Sequence, residues 1–168
     1  MKKSICYFLI ACTVVAAQSF RDNTVSAKPV VEVSTIEQSS VEENVQLPVP
    51  MLAKLEQIAP NQIQISYDRD VDIKLGTKAT NYWIQDMKNV NPKGIGTLGK
   101  NDRVNATNSL KDNMVKIESK NGSAKTYVLT LNREIPKGAE YKLIICYVTV
   151  EGAPPYNGDN GMATFVGK

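Results

Sequence analysis

Three groups of residues in this chain have the types and spacing to do chemistry. Asp68, Asp70 and Asp72 alternate as the oxygen ligands of a calcium loop do. Ile73 occupies the place where such a loop needs Gly, and no Glu follows at the distance that would close the coordination sphere. The run therefore reads as a solvated turn between strands, although Asp86 or Asp159 could still meet it in space. Gly94-Ile95-Gly96-Thr97-Leu98-Gly99 spells G-x-G-x-x-G, and Lys100-Asn101 extends it almost to a phosphate loop, with Asn where magnesium needs a Ser or Thr hydroxyl. Either motif requires a strand before the glycines and a helix N-terminus after them. Here Pro92 precedes and an Asn-rich polar stretch follows, so the glycines read as a flexible connection. The third group is the loop Gly152 to Gly161, where Pro154, Pro155, Tyr156, Asn157 and Asp159 place an aromatic side chain among turn-formers. Two prolines hold Tyr156, which suits a partner-binding anchor of low entropic cost. The other reading is a turn whose Tyr folds back on the sheet.

Catalysis finds no support. The chain has no His, so Ser, Thr and Cys146 lack the usual base for a nucleophile. Paired carboxylates for glycoside hydrolysis need a cleft between them, which a domain of this size and type does not offer. No cofactor is expected. A copper carrier would lean on His and Met, and Met51, Met87, Met114 and Met162 are dispersed. The net charge is +3. Lys111, Lys116, Lys120, Lys125, Lys137 and Lys142 alternate with strand residues instead of gathering between aromatic platforms, which argues against nucleic acid and for solvated strand faces.

The start of the chain reads as a secretory leader. Lys2 and Lys3 precede an apolar run from Ile5 to Ala17, too short for a span that needs roughly 20 apolar residues. Cleavage after Ala27 or after Ala17 fits the small-residue rule, and the expected organisation is a leader over 1–27, an extended linker over 28–50 and one domain over 51–168. Leu9-Ile10-Ala11-Cys12 is a competing lipid-anchor signal, and only through Cys12 would the protein be held on a membrane. The linker is rich in Val, Glu, Ser and Gln and reads as a spacer. Val31, Val33 and Thr35 alternate with polar residues, which would also allow a short strand donated to a sheet edge, and hence self-association. Leader removal leaves Cys146 as the one thiol, expected to be buried in its strand or else to form a covalent dimer.

The elements that must position these residues are strands. Met51 to Ile58 is followed by a Pro60-Asn61 turn and by Gln62 to Tyr67, whose Ile63, Ile65 and Tyr67 share the buried face. Leu75 to Asn81 allows one helical turn, and Tyr82 to Gln85 is a strand carrying the single Trp into the core. Asn89 to Ser109 is a long excursion with at most a short edge strand. Met114 to Ser119 and Lys125 to Leu131 flank Asn121-Gly122 as a hairpin. Pro136 and Gly138 turn the chain between sheets, and Glu140 to Val150 and Met162 to Val166 complete about seven strands. Tyr141, Leu143, Ile145 and Tyr147 are expected on one face, with the Tyr141 hydroxyl bonding back to backbone as in a tyrosine corner. The fold class is all-β, an immunoglobulin-like β-sandwich of about seven antiparallel strands.

Ile63 to Asp72, Asn81-Tyr82-Trp83-Ile84, Val128 to Leu131, Ile135 to Leu143 and Phe165 together resemble the bacterial immunoglobulin-like domains of S-layer and other surface proteins, of fibronectin-III-like sandwich type. The resemblance covers about residues 51 to 168. It implies a noncatalytic module of cell-surface or secreted proteins, used as a spacer, assembly unit or adhesion domain, and the partner expected for it is an extracellular protein or glycan. It also implies that the loop holding Tyr156 lies at a position such folds use for contact. No catalytic residues come with it. Such domains usually stand in tandem, whereas a single copy is legible here.

Overall fold

The computed structural model describes residues 47–168. The expected leader, Cys12 and the linker residues before Leu47 lie outside them. Alternating apolar side chains make the strands. β1 (Leu52–Ala59) and β2 (Gln62–Tyr67) pair across the Pro60-Asn61 turn, and Ile63, Ile65 and Tyr67 are fully buried, as the alternation requires. α1 (Ile73–Gly76) is a single turn capped by Asp72, whose carboxylate accepts from the amides of Lys74 and Leu75. A 3-10 turn over Ala79–Asn81 leads into β3 (Tyr82–Asp86). β4 (Val115–Ser119) and β5 (Thr126–Leu131) form the expected hairpin, through a wider loop than a two-residue turn, with Asn121 and Gly122 both at positive φ. The corner at Pro136 to Gly138 carries the chain to β6 (Glu140–Cys146), and β7 (Asp159–Val166) follows.

These strands form two antiparallel sheets, one of four strands in the order β1-β2-β5-β4 and one of three in the order β3-β6-β7. Their facing sides enclose the main core, which includes Ile63, Ile65, Ile84, Leu129, Leu143 and Ile145. The exposed edge strand β4 carries the ion pair Lys116–Glu118, charges that blunt strand addition.

In the three-stranded sheet β3 and the second half of β6 are buried on both faces, while β7 keeps an exposed face. Every residue of β3 is buried, although a sheet with one wet face would alternate. The excursion after β3 folds over the outer face and closes a second, smaller core of Trp83, Leu98, Ile144 and Cys146. The single Trp is therefore a core residue of this outer layer, its indole N–H donating to the Asn105 carbonyl and the Asn108 side chain at 2.9 and 3.0 Å. Leu98 makes an isolated parallel bridge with Gln85, within the expectation of at most a short edge strand in the excursion.

β6 ends four residues before the expected Val150. A register shift between Ile144 and Cys146 and a positive φ of 67° at Tyr147 turn the chain out of the sheet. Tyr141, Leu143 and Ile145 share the inner face as expected, but Tyr147 does not join them: its ring turns outward and meets Trp83 edge-on at 6.0 Å. The Tyr141 hydroxyl does bond to backbone, at the Lys93 carbonyl in the excursion instead of near the Pro136 corner.

Candidate functional site

The pole of the sandwich where α1 and the β6–β7 connection meet carries an open groove of about 610 Å³. One wall is α1 with the turn after it, supplying Asp72, Lys74, Leu75, Lys78 and Asn81. The other wall is Tyr147, Ala153, Pro155, Tyr156 and Asn157. A smaller, more enclosed concavity of about 270 Å³ adjoins it, where Leu47 to Pro50 run beside Pro154, Pro155 and Tyr156. Tyr156 lines both.

Local chemistry holds this pole in shape. Asn160 is completely buried, a position that demands every one of its hydrogen bonds. Its side-chain oxygen accepts from the Val148 amide at 2.8 Å, and its side-chain nitrogen donates to the carbonyls of Val148 and Pro50 at 2.7 and 2.8 Å. That clamp, with the Tyr147 amide donating to the Gly158 carbonyl at 3.0 Å, over-determines the left-handed backbone of Tyr147. Tyr156 donates its hydroxyl to the Asp159 carbonyl at 3.1 Å, and its ring lies so close over Gly158 that a Cβ there would strike it. The ring is thereby held where it lines both concavities.

The sequence-derived residues divide across this geometry. Pro155, Tyr156 and Asn157 line the groove, and Pro154 lines the adjoining concavity. Asp159 lines neither: it is the first residue of β7, and its carboxylate accepts from the Gly161 amide at 2.5 Å. Tyr147, Lys74, Lys78 and the Asn160 clamp were missed. Tyr147 was hidden by a strand pattern that continues through it, and its positive φ has no sequence signature for a Tyr. In the sequence Asn160 falls within the loop Gly152 to Gly161, where Asn and Gly are ordinary loop residues.

Beneath the groove the tyrosines form a closed network. Tyr82 donates to the Gly76 carbonyl at 2.5 Å, which spends its one proton, so Tyr67 donates to the Tyr82 oxygen at 2.9 Å. Burial pushes both phenols well above their ordinary range. Tyr127 packs edge-on to Tyr67 and is raised to about 12 by burial and then by the charges of Asp72 and Asp70. These neutral phenols position α1 and do not act as bases.

The carboxylates of the Asp68, Asp70, Asp72 run go separate ways. Arg69 binds Asp68 through two nitrogens and the Met51 amide adds a third donor, which together bring its carboxyl to about 2. Asp72 is occupied as the cap of α1. Among the described residues no three His, Cys, Asp or Glu side chains converge as a metal site. The glycine motif has no helix at its end. Its Gly99 instead permits the backbone to press against the Val90 carbonyl, where any Cβ would clash. Cys146 is a free, buried thiol, raised by burial and then by the charge of Asp159, so it holds little thiolate.

No family model matches this chain, and no curated protein does. Among solved structures, it is similar to the N-terminal part of the bacterial S-layer protein SbsC, with 12% identity and a TM-score of 0.46, over 71% of this chain and 23% of that one. Similar too are the S-layer protein rSbsC(31-844), at 11% identity and a TM-score of 0.47, and domains 1-6 of surface layer protein SbsC, at 12% and 0.46. Each match again covers 71% of this chain but only 14% of the other, so the chain spans a small part of the S-layer proteins it matches.

Proposed function

We infer that this protein is an exported, noncatalytic module of immunoglobulin-like type that works at the cell surface or outside the cell, binding a protein or glycan through the pole between α1 and the β6–β7 connection. The strand order supports the type, because β1-β2-β5-β4 facing β3-β6-β7 follows the order of a constant-type immunoglobulin sandwich. One observation carries the binding reading. Tyr147 is an aromatic residue with a left-handed backbone, and its side chain is turned towards solvent at a groove. A strained backbone and an exposed ring both cost stability, and the surrounding bonds hold them in place. Such a cost is expected where the side chain has work to do outside the fold.

The test is co-sedimentation of the purified protein with insoluble cell-envelope material, alongside a glycan array. Retention that Tyr147→Ala and Tyr156→Ala each reduce strongly, with folding intact, is the expected result. Retention unchanged in both variants would remove this pole from the function.

A further inference from the structure

The groove offers more than an aromatic wall. Lys74 and Lys78 stand on the α1 side, both exposed, and neither ammonium has an ion-pair partner among the described residues. The groove's one carboxylate, Asp72, has an oxygen already committed to the amides of Lys74 and Leu75. The rim therefore presents two free positive charges against one partly spent negative charge. Across the groove Tyr156 is held by its hydroxyl bond to the Asp159 carbonyl, with its ring tip against Gly158, so an aromatic ring lines the groove with little further ordering.

Resting on the binding reading above, we propose that the groove takes an acidic carbohydrate, a sugar chain carrying carboxylate or phosphate groups. A sugar ring has apolar C–H faces that suit the Tyr156 ring and equatorial hydroxyls for Asn157. Its anionic substituent meets Lys74 and Lys78. An acidic peptide would satisfy the lysines but makes no particular use of an aromatic ring held in the groove wall. A neutral sugar would use the ring and leave both ammoniums idle.

The experiment is calorimetric titration of the purified full chain with an oligogalacturonate, a phosphorylated dextran oligomer, a neutral dextran oligomer and a poly-glutamate, at low and at high salt. At least one of the two acidic sugar polymers binds, more tightly than dextran, and weakens as salt screens the contact. Whichever of the two binds more tightly assigns the anion as carboxylate or phosphate. The double variant K74Q/K78Q weakens binding by about fivefold or more, the scale of two exposed charge contacts. Tyr156→Ala weakens it as well, and unchanged melting of each variant excludes misfolding. Dextran binding as tightly as the acidic sugars, or K74Q/K78Q binding unchanged, overturns the proposal. So does poly-glutamate binding equally well and ignoring Tyr156→Ala. If no acidic sugar binds while Tyr147→Ala still abolishes retention on envelope material, the ligand class is wrong and the binding pole stands. If that retention also survives Tyr147→Ala, both fall.

Discussion

Two long connections hang on the three-stranded sheet, and they were built to opposite ends. The excursion between β3 and β4 is drawn inward. Asp86 accepts from the amides of Lys88, Asn89 and Lys93 and from the Asn89 side chain. Gln85 donates to the carbonyls of Gly99 and Lys100, and Trp83 pins the far end. The β6–β7 connection is anchored at its base, where Val148 and Thr149 are buried and Asn160 of β7 bonds Val148, and beyond that Pro154, Pro155 and Asn157 are exposed. Both stretches are rich in Gly, Asn and Pro, so composition does not tell them apart. What separates them is the aim of their polar side chains: those of the first satisfy backbone inside the fold, while the tip of the second leaves its groups exposed.

The sharpest way to break this contrast is to remove the inward anchor. Asp86→Ala leaves several amides without their acceptor and should cost roughly 3–4 kcal/mol in urea unfolding, whereas Asn157→Ala should cost less than about 0.5. Equal losses would erase the distinction. Next in size is the clamp: Asn160→Ala should destabilise by about 2–3 kcal/mol and also loosen Tyr147, so a binding defect should accompany the stability loss. A stability loss with binding intact would separate the clamp from the site.

Acid offers a third, smaller test. Burial acts to raise the Asp86 carboxyl, but the hydrogen bonds it accepts outweigh that and hold it at about 2, below the ordinary value of 3.8. A depressed carboxyl adds stability that is complete above the unfolded value, near pH 4, and is lost as pH falls towards 2. The loss amounts to about 2 kcal/mol for this residue. Asp86→Asn should flatten the stability profile between pH 4 and 2, and an unchanged slope would assign the acid limb elsewhere, with Asp68 the next candidate. The smallest effect is expected at Tyr147→Gly. Relief of the left-handed backbone, about 1–2 kcal/mol, opposes loss of the edge-on contact with Trp83, about 0.5–1.5 kcal/mol. Stability should shift by less than about 1 kcal/mol while binding is lost, and a large destabilisation would mean that Tyr147 is there for packing.

The architecture was legible because strand periodicity is a local signal. Ile63, Ile65 and Tyr67 declared one face, Asn121-Gly122 marked the hairpin, and the Pro136 to Gly138 corner separated the sheets. The outer core was not, since its meaning depends on residues far apart in sequence: Leu98 covers Trp83, and nothing near either residue says so. The candidate site was half legible. Pro155 and Tyr156 announce a stiff aromatic loop, but the opposite wall comes from α1, and Lys74 and Lys78 become neighbours of Tyr156 only through folding. Tyr147 shows the limit of pattern reading, because an alternating run continues through a residue whose backbone leaves the strand.

The Asn160 clamp has a mechanical reading. Its side-chain nitrogen grips Pro50, near where the described chain begins, and the same amide group holds both backbone polar atoms of Val148, next to Tyr147. Tension arriving along the chain at Leu47 would therefore load a bond at Pro50 whose other end anchors the groove wall. Rupture of that bond would loosen Val148 and then Tyr147 while the sheets still held. Pull on the upstream end would therefore deform the groove wall before it opened the sheets.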